Sequence, residues 1–368
     1  MRRRVLTADG VDTVMLDLRM VRGRLHGIAR YALELARRLP ALAPELRFSV
    51  LTAPEGLGEL GPLELPSGVA VVRARAGFLS PAEQLDLTLT LGRHRPALFH
   101  ATSFSIPGLY RGKLVVTLHD ANHLAVPESR STLRSLYYRT LVGPRSKGAA
   151  ARLTVSEFSR AELARHLRLD PYTLQVIAPG VDAHFRPQTP VELASFRAGR
   201  SLPARFFLSV GNEKPYKNLA LLARIADRLS HPLVLLAGMG VKHALRFPDS
   251  TVELGTLEEA DLPRLYASAT ALLYPSRYEG FGLPALEAMA CGTPVLAANA
   301  GALPEVVGTS GILLPAEDDT AWVTTAQRVA REPAFAEQLR QGGLLRAARA
   351  SWDECARQTL AVYRRALA

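Results

Sequence analysis

Two cysteines, Cys291 and Cys355, are all that the 368 residues contain, too few for a disulfide framework or a set of thiolate metal ligands. Such a chain fits a reducing compartment. Long apolar runs are also missing, and no stretch approaches the ~18 residues that a membrane-spanning helix needs. The opening MRRRVLTADGVDTVMLDL is basic but lacks an uninterrupted apolar core and a small-residue cleavage site, so no secretory signal is expected. These absences predict a cytoplasmic protein. No acidic pair with metal-ligand spacing stands at a strand end, so metal independence is expected. The sequence lacks helix-turn-helix, zinc and RNA-binding signatures, which removes nucleic acid as an expected partner. It lacks repeats and low-complexity tracts too, apart from a mild Ala/Arg/Leu bias.

What is present is the composition of a soluble globular protein, 48% hydrophobic and 21% charged. The length exceeds the usual ceiling for one core and suggests two domains. A net charge of +11 is unevenly placed. Residues 1 to 182 hold 25 Lys and Arg against 16 Asp and Glu, whereas residues 183 to 368 hold 20 against 18. A basic first half can attract an anionic membrane or an acidic ligand, and it can equally reflect compositional bias. The helical stretch from Leu133 to Leu141 mixes Tyr137 and Tyr138 with Arg134 and Arg139, trailed by Arg145 and Lys147. Such a face suits peripheral docking on anionic headgroups. An ordinary solvated helix reads the same way.

Apolar runs at Val14–Leu18, Phe48–Thr52, Val69–Val72, Leu98–His100, Leu114–Leu118, Arg152–Val155 and Gln175–Ile177 alternate with helical stretches, predicting parallel strands in βαβ units. Ser156 reads as the cap of a helix from Phe158 to Leu167. Residues 183 to 203, with Pro187, Pro190 and Pro203, read as a connection. A second series follows at Phe206–Val210, Leu233–Ala237, Val252–Leu254, Ala271–Tyr274 and Val295–Ala298. The expected fold is α/β, two doubly wound Rossmann-like domains facing a central cleft, with ligands beyond the carboxyl ends of the strands.

The most informative segment is PSRYEGFGLPALEAMACGTPV, residues 275 to 295, in which seven residues separate Glu279 from Glu287. The turn Gly280-Phe281-Gly282-Leu283 can bring backbone N–H groups close to a ligand, and Pro284 suits a first helical turn. An anion is expected at that helix start. Carboxylates do not hold phosphates, so both glutamates are expected to accept hydrogen bonds from hydroxyls on either side of a diphosphate. A nucleotide sugar has that shape; an ordinary loop and surface helix is the alternative.

This string resembles the signature of the retaining glycosyltransferases of family 4, a glutamate, seven residues and a second glutamate before a CGTPV-like strand. The resemblance implies the GT-B fold. It implies an N-terminal acceptor-binding domain over 1–182, a C-terminal nucleotide-sugar-binding domain over 183–345, and a last helix, 346–368, returning to the first. By resemblance Glu287 holds the ribose and Glu279 the sugar hydroxyls. In SVGNEKPYKN, residues 209 to 218, Lys217 is the expected cation beside the leaving diphosphate. Asn212 stands where the family usually has arginine, so Lys214 either compensates or the diphosphate has one cation fewer. The segment Gly27-Ile28-Ala29-Arg30-Tyr31 resembles the family's GIGRY string, with Gly27 expected near the donor phosphates, although a plain helix start reads alike. His119, at a strand end, matches the family's histidine near the transferred sugar. Asp120 is a candidate for the acceptor side or for a helix cap, and Arg19 is a further acceptor-side candidate. The 299–305 segment is expected to border the nucleotide pocket.

The resulting expectation is a retaining, metal-independent hexosyltransferase without a cofactor. It would move a sugar from a nucleotide diphosphate, GDP-mannose ahead of UDP-sugars, to a glycan or lipid-linked acceptor. A sugar-nucleotide epimerase of the same fold and a non-catalytic nucleotide-sugar-binding protein remain open alternatives.

Overall fold

A computed structural model of the protein describes residues 12–22, 26–56 and 65–368. The chain divides into two compact units, Met1–Gly180 with Trp352–Ala368, and Val181–Ser351.

The strands of the first unit are β1 (Thr13–Asp17), β2 (Arg47–Thr52), β3 (Ala70–Arg73), β4 (Leu98–Ala101), β5 (Lys113–Thr117), β6 (Ala151–Thr154) and β7 (Leu174–Val176). They form one parallel sheet in the order β3-β2-β1-β4-β5-β6-β7. Those of the second are β8 (Phe207–Val210), β9 (Leu233–Leu236), β10 (Val252–Leu254), β11 (Ala271–Tyr274), β12 (Val295–Ala298) and β13 (Ile312–Leu314). Their parallel order is β10-β9-β8-β11-β12-β13. The apolar runs thus form strands as expected, and the short Ile312–Leu314 strand adds one that sequence reading missed. β4, β11 and β12 are buried along their whole length. Helices cover both faces of such sheets, so their central strands read as unbroken apolar runs rather than alternating ones.

In each sheet the order reverses once, between β1 and β4 and between β8 and β11. The connections leaving these neighbours diverge, and a crevice opens beyond their carboxyl ends. Lys217 and Glu279 follow β8 and β11; Arg19 follows β1.

Two segments differ from the sequence reading. Residues 190–199, expected within a connection, form the helix Pro190–Gly199 of the second unit. Thr189 and Glu192 close a reciprocal capping box, and Pro190 takes the first turn, where a missing N–H is harmless. The expected helix around Leu133–Leu141 is interrupted: Thr132–Tyr137 is α-helical and Tyr138–Val142 a wider π turn. The C-terminal helix Trp352–Leu367 buries Trp352, Leu360 and Tyr363 in the first unit. Its Asp353 accepts from Arg38 Nε at 2.8 Å.

Arg19, expected at the acceptor side, is 1% exposed. Its Nε and Nη2 donate to Asp17 at 2.8 and 2.6 Å, its Nη1 to Glu83 at 2.7 Å, and Nη2 also to Ser105 Oγ at 3.0 Å. Burying one cation between two carboxylates is tolerable only because each partner is hydrogen-bonded. The guanidinium therefore fastens the loop after β1 to the helix Glu83–His94 and to the segment after β4. Arg19→Met removes the charge and leaves Asp17 and Glu83 buried together. Urea unfolding is expected to show a loss of ~3–5 kcal/mol; a loss under ~1 kcal/mol would show that the network does not hold the loop.

Candidate functional site

Leaving β8, the chain turns through Asn212–Lys217 and enters the helix Leu219–Ile225. Asn212 Oδ1 accepts from Lys214 N at 3.2 Å, so Asn212 shapes the turn while both side chains remain exposed. Lys217 is mostly buried and donates from Nζ to Glu279 Oε1 at 2.7 Å. Tyr274, the last residue of β11, donates its hydroxyl to the same oxygen at 2.7 Å. Burial and the Glu279 charge hold the Tyr274 phenol far above its ordinary value, so it stays a donor. Glu279 Oε2 accepts from none of the described residues.

The two loops are stitched together. Asn218 Nδ2 donates to Pro275 O at 3.2 Å and Ala316 O at 2.9 Å, and Arg277 N donates to Tyr216 O at 2.8 Å. Asn218 adopts φ +54°, which asparagine tolerates better than most residues.

Gly282 caps the helix Leu283–Ala290 at φ +106°, and a Cβ there would meet Leu303 Cδ2 at 2.7 Å. Only glycine fits both constraints. Gly280 is buried, Phe281 packs on the core, and Leu283 is buried with Pro284 beside it in the first turn. Glu287, one turn in, is 6% exposed, and its Oε2 accepts from Tyr266 OH at 3.0 Å. A surface-helix reading of Glu287 is therefore excluded. Gly301 lies against the backbone of Glu279: an added Cβ would sit 2.7 Å from Glu279 N, and Ala302 N donates to Glu279 O at 3.0 Å. The 299–305 segment thus supports the first glutamate from behind.

In the first unit, Gly27 opens the helix Gly27–Leu42, capped by His26, whose Nδ1 accepts from Ala29 N; residues 23–25, just before it, lie outside the described residues. His119 lies just beyond β5. Its Nε2 pairs with Thr102 O at 2.9 Å, and its ring packs edge-on against Tyr31 at 4.9 Å. A carbonyl only accepts, so Nε2 carries the proton and Nδ1 of the neutral ring is the acceptor. Ser159 Oγ donates to His119 O at 2.7 Å, so the helix Glu157–Leu167, capped by Ser156, also holds the backbone at His119. Asp120 Oδ1 accepts from Asn122 N at 2.9 Å, an end-of-helix contact.

Lys217, Glu279, Gly282 and Glu287 thus share one region of the second unit, and Gly27, His119, Asp120 and Arg19 belong to the first. Sequence reading missed Tyr274, Tyr266, the role of Asn218 and, within the 299–305 segment it had named, the contact of Gly301 with Glu279. The signal for Tyr274 was a hydroxyl closing an otherwise apolar strand. The other three depend on contacts between distant segments.

Among the described residues there is no cluster of metal-ligating side chains and no helix long and apolar enough to cross a membrane. Residues 204–332 match the family described as "Glycosyl transferases group 1", and residues 25–185 match "Glycosyltransferase Family 4". The O-antigen chain mannosyltransferase B of Escherichia coli is 29% identical, covering 92% of this chain and 96% of that protein. A D-inositol 3-phosphate glycosyltransferase of Frankia alni is 30% identical over 94% and 96%. Among solved structures, sucrose-phosphate synthase from Thermosynechococcus elongatus superposes with a TM-score of 0.78 at 21% identity, covering 96% of this chain and 98% of that one. HepE of Anabaena, in complex with UDP and glucose, superposes with 0.77 at 20% identity, covering 96% and 99%.

Burial pushes the His100 imidazole of β4 down to about 3 and the His119 imidazole down to about 4, the latter against the Thr102 carbonyl, which favours the protonated ring. An unfolded chain protonates its histidines near ~6.5, so over this range the unfolded state binds more protons. The stability contributed by the two neutral rings is present in full above about pH 6.5. It is lost as pH falls from there through the folded values, at up to ~1.4 kcal/mol per pH unit for each ring. Thermal unfolding is expected to show Tm falling between pH 6.5 and 4.5, with a shallower fall in His100→Leu. Equal slopes for the two proteins would contradict this.

Proposed function

The chain belongs to the group 1 glycosyltransferases of family 4, with the GT-B fold, and on that premise we propose that it is a retaining, metal-independent hexosyltransferase using a nucleotide diphosphate sugar. The observation that carries the reading is the Lys217–Glu279–Tyr274 cluster at the strand-order reversal of the second unit, beside the start of the helix Leu283–Ala290. Cation, helix start and hydroxyl-accepting carboxylate are the three elements that a sugar diphosphate requires.

In this account the diphosphate lies at the helix start, with its oxygens on the backbone N–H groups near Gly282. A lysine ammonium has three donors, which lets Lys217 address both Glu279 and a phosphate oxygen. As the bond between the anomeric carbon and the phosphate oxygen lengthens, negative charge grows on that oxygen, and Lys217 stabilises it. The leaving phosphate takes the proton from the acceptor hydroxyl on the same face, so the new bond keeps the anomeric configuration. Glu279 orients the sugar hydroxyls through Oε2, while Lys217 and Tyr274 hold Oε1. Glu287, fixed by Tyr266, addresses the ribose. Gly280, Phe281 and Leu283 shape the turn, Asn212 and Lys214 set the loop before Lys217, and Gly27, His119 and Asp120 serve the transferred sugar and the acceptor.

The mannosyltransferase relative supports a mannosyl donor, for which GDP-mannose is the one proposed, and the UDP-bound neighbour keeps UDP-sugars in the comparison. The acceptor class proposed is a glycan or lipid-linked saccharide at the cytoplasmic face of a membrane. Leu136, 55% exposed, lines an open groove of about 500 Å³ together with Arg130 and Arg139, and Leu133 nearby in the same helix is 78% exposed, which supports peripheral contact with anionic headgroups.

A thermal-shift screen of GDP-, UDP- and ADP-sugars is expected to single out one nucleotide. With that donor, Lys217→Ala lowers kcat ~10²–10³-fold, whereas Glu287→Ala mainly raises the donor KM. Wild-type turnover in both variants rules out this site. An inverted product anomer by NMR rules out the retaining mechanism.

A further inference from the structure

A chain of buried polar groups runs through the first unit from its C-terminal helix to the ring of His119. Tyr363 OH pairs with His100 Nδ1, and His100 Nε2 pairs with Thr117 Oγ1 at 2.8 Å. Thr117 Oγ1 pairs with Tyr31 OH at 3.1 Å, and the Tyr31 ring abuts His119. His100, Thr117, Tyr31 and Tyr363 are each at most 1% exposed. They come from four different elements: β4, the end of β5, the helix Gly27–Leu42 and the helix Trp352–Leu367.

Four hydroxyl and imidazole groups in a sheet-and-helix core cost desolvation that aliphatic side chains would avoid. What they supply is direction. Each hydrogen bond fixes the rotamer of its neighbour, and the last member, Tyr31, sets one wall of His119. Thr102 fixes the other constraint from its backbone carbonyl at Nε2, while its own Oγ1 donates to Asp17 O, so the histidine is held from β1, β4 and the first helix together.

We propose that His100 and Tyr363 are positioning residues for His119, and that the C-terminal helix thereby completes the sugar-facing part of the first unit. The inference rests on the assignment of His119 to the transferred sugar. Without the chain, Tyr31 keeps its hydrogen bond to Thr359 but loses the one from Thr117, so its ring is less firmly set and His119 can rotate away from Thr102 O. Its Nδ1 lone pair then no longer holds a single direction. Turnover suffers more than donor affinity, because the donor elements belong to the second unit.

The test uses the full-length protein with Tyr363→Phe, which removes only the hydroxyl, Thr117→Val, which keeps the shape, and His119→Ala. Circular dichroism and thermal unfolding check folding. Histidine-labelled ¹⁵N NMR reads the His119 tautomer, and hydrolysis of GDP-mannose, with UDP-glucose in parallel, reads kcat and KM. In the wild type the His119 proton is expected on Nε2. Tyr363→Phe and Thr117→Val are expected to give a mixed tautomer and a kcat lowered ~10-fold or more, with donor KM within ~2-fold. A wild-type tautomer and kcat in both folded variants overturns the positioning role. If His119→Ala itself keeps wild-type kcat, the assignment of His119 to the sugar fails instead, and an altered tautomer in Tyr363→Phe would then report the chain alone.

Discussion

The reversal of strand order between β8 and β11 is the constraint on which the candidate donor site depends. Neighbouring parallel strands whose connections diverge leave backbone ends and side chains facing a common crevice. Everything proposed to touch the diphosphate reaches that crevice from one of the two loops. Asn218, with both side-chain N–H bonds placed on carbonyls of other segments, locks the β8 loop to the β11 loop. Once the loops are locked, Lys217 and Glu279 meet at 2.7 Å, and Tyr274 shares the same carboxylate oxygen. Gly282 and Gly301 then do steric work, since a methyl group at either would drive into Leu303 or the Glu279 backbone.

The first unit uses the same reversal, between β1 and β4, with a different filling. Its charges are withdrawn from water: Arg19 at 1%, Asp17 at 2% and Glu83 at 3% side-chain exposure, against 15% and 12% for Lys217 and Glu279. A buried, fully paired network fixes geometry but has no charge left to offer a ligand. The Lys217–Glu279 pair, mostly buried but still reached by solvent, keeps part of its field available to an incoming phosphate. In the proposed function the second unit would bind the anion and the first would supply neutral hydrogen-bonding groups, His119 foremost, and the contrast in burial accords with that.

Strands and fold class were legible because buried parallel strands announce themselves as short apolar runs between helical stretches. The site string around Glu279 and Glu287 was legible for a related reason, since its turn, first-turn proline and CGTPV strand are consecutive in the chain. What escaped was long-range. Arg19 stands at a strand end, where a ligand contact is a reasonable expectation, but Glu83 is 64 positions away and nothing local marks it as the partner. Tyr266 and Glu287 are 21 apart, and Asn218 and Ala316 are 98 apart. The prolines at 187–203 suggested a connection because Pro190 at a first helical turn looks like a breaker until its capping box is seen. The π turn at Tyr138–Val142 left no periodic signal to read.

The central claim is that the diphosphate lies at the start of the helix Leu283–Ala290 beside Lys217. A crystal structure with GDP, or with UDP if the donor screen selects it, tests this most directly. The account predicts phosphate oxygens within ~3 Å of Lys217 Nζ and of the backbone N–H groups near Gly282, with the ribose on the Glu287 side. Phosphate density anywhere else in the second unit, or on the first unit, would contradict it.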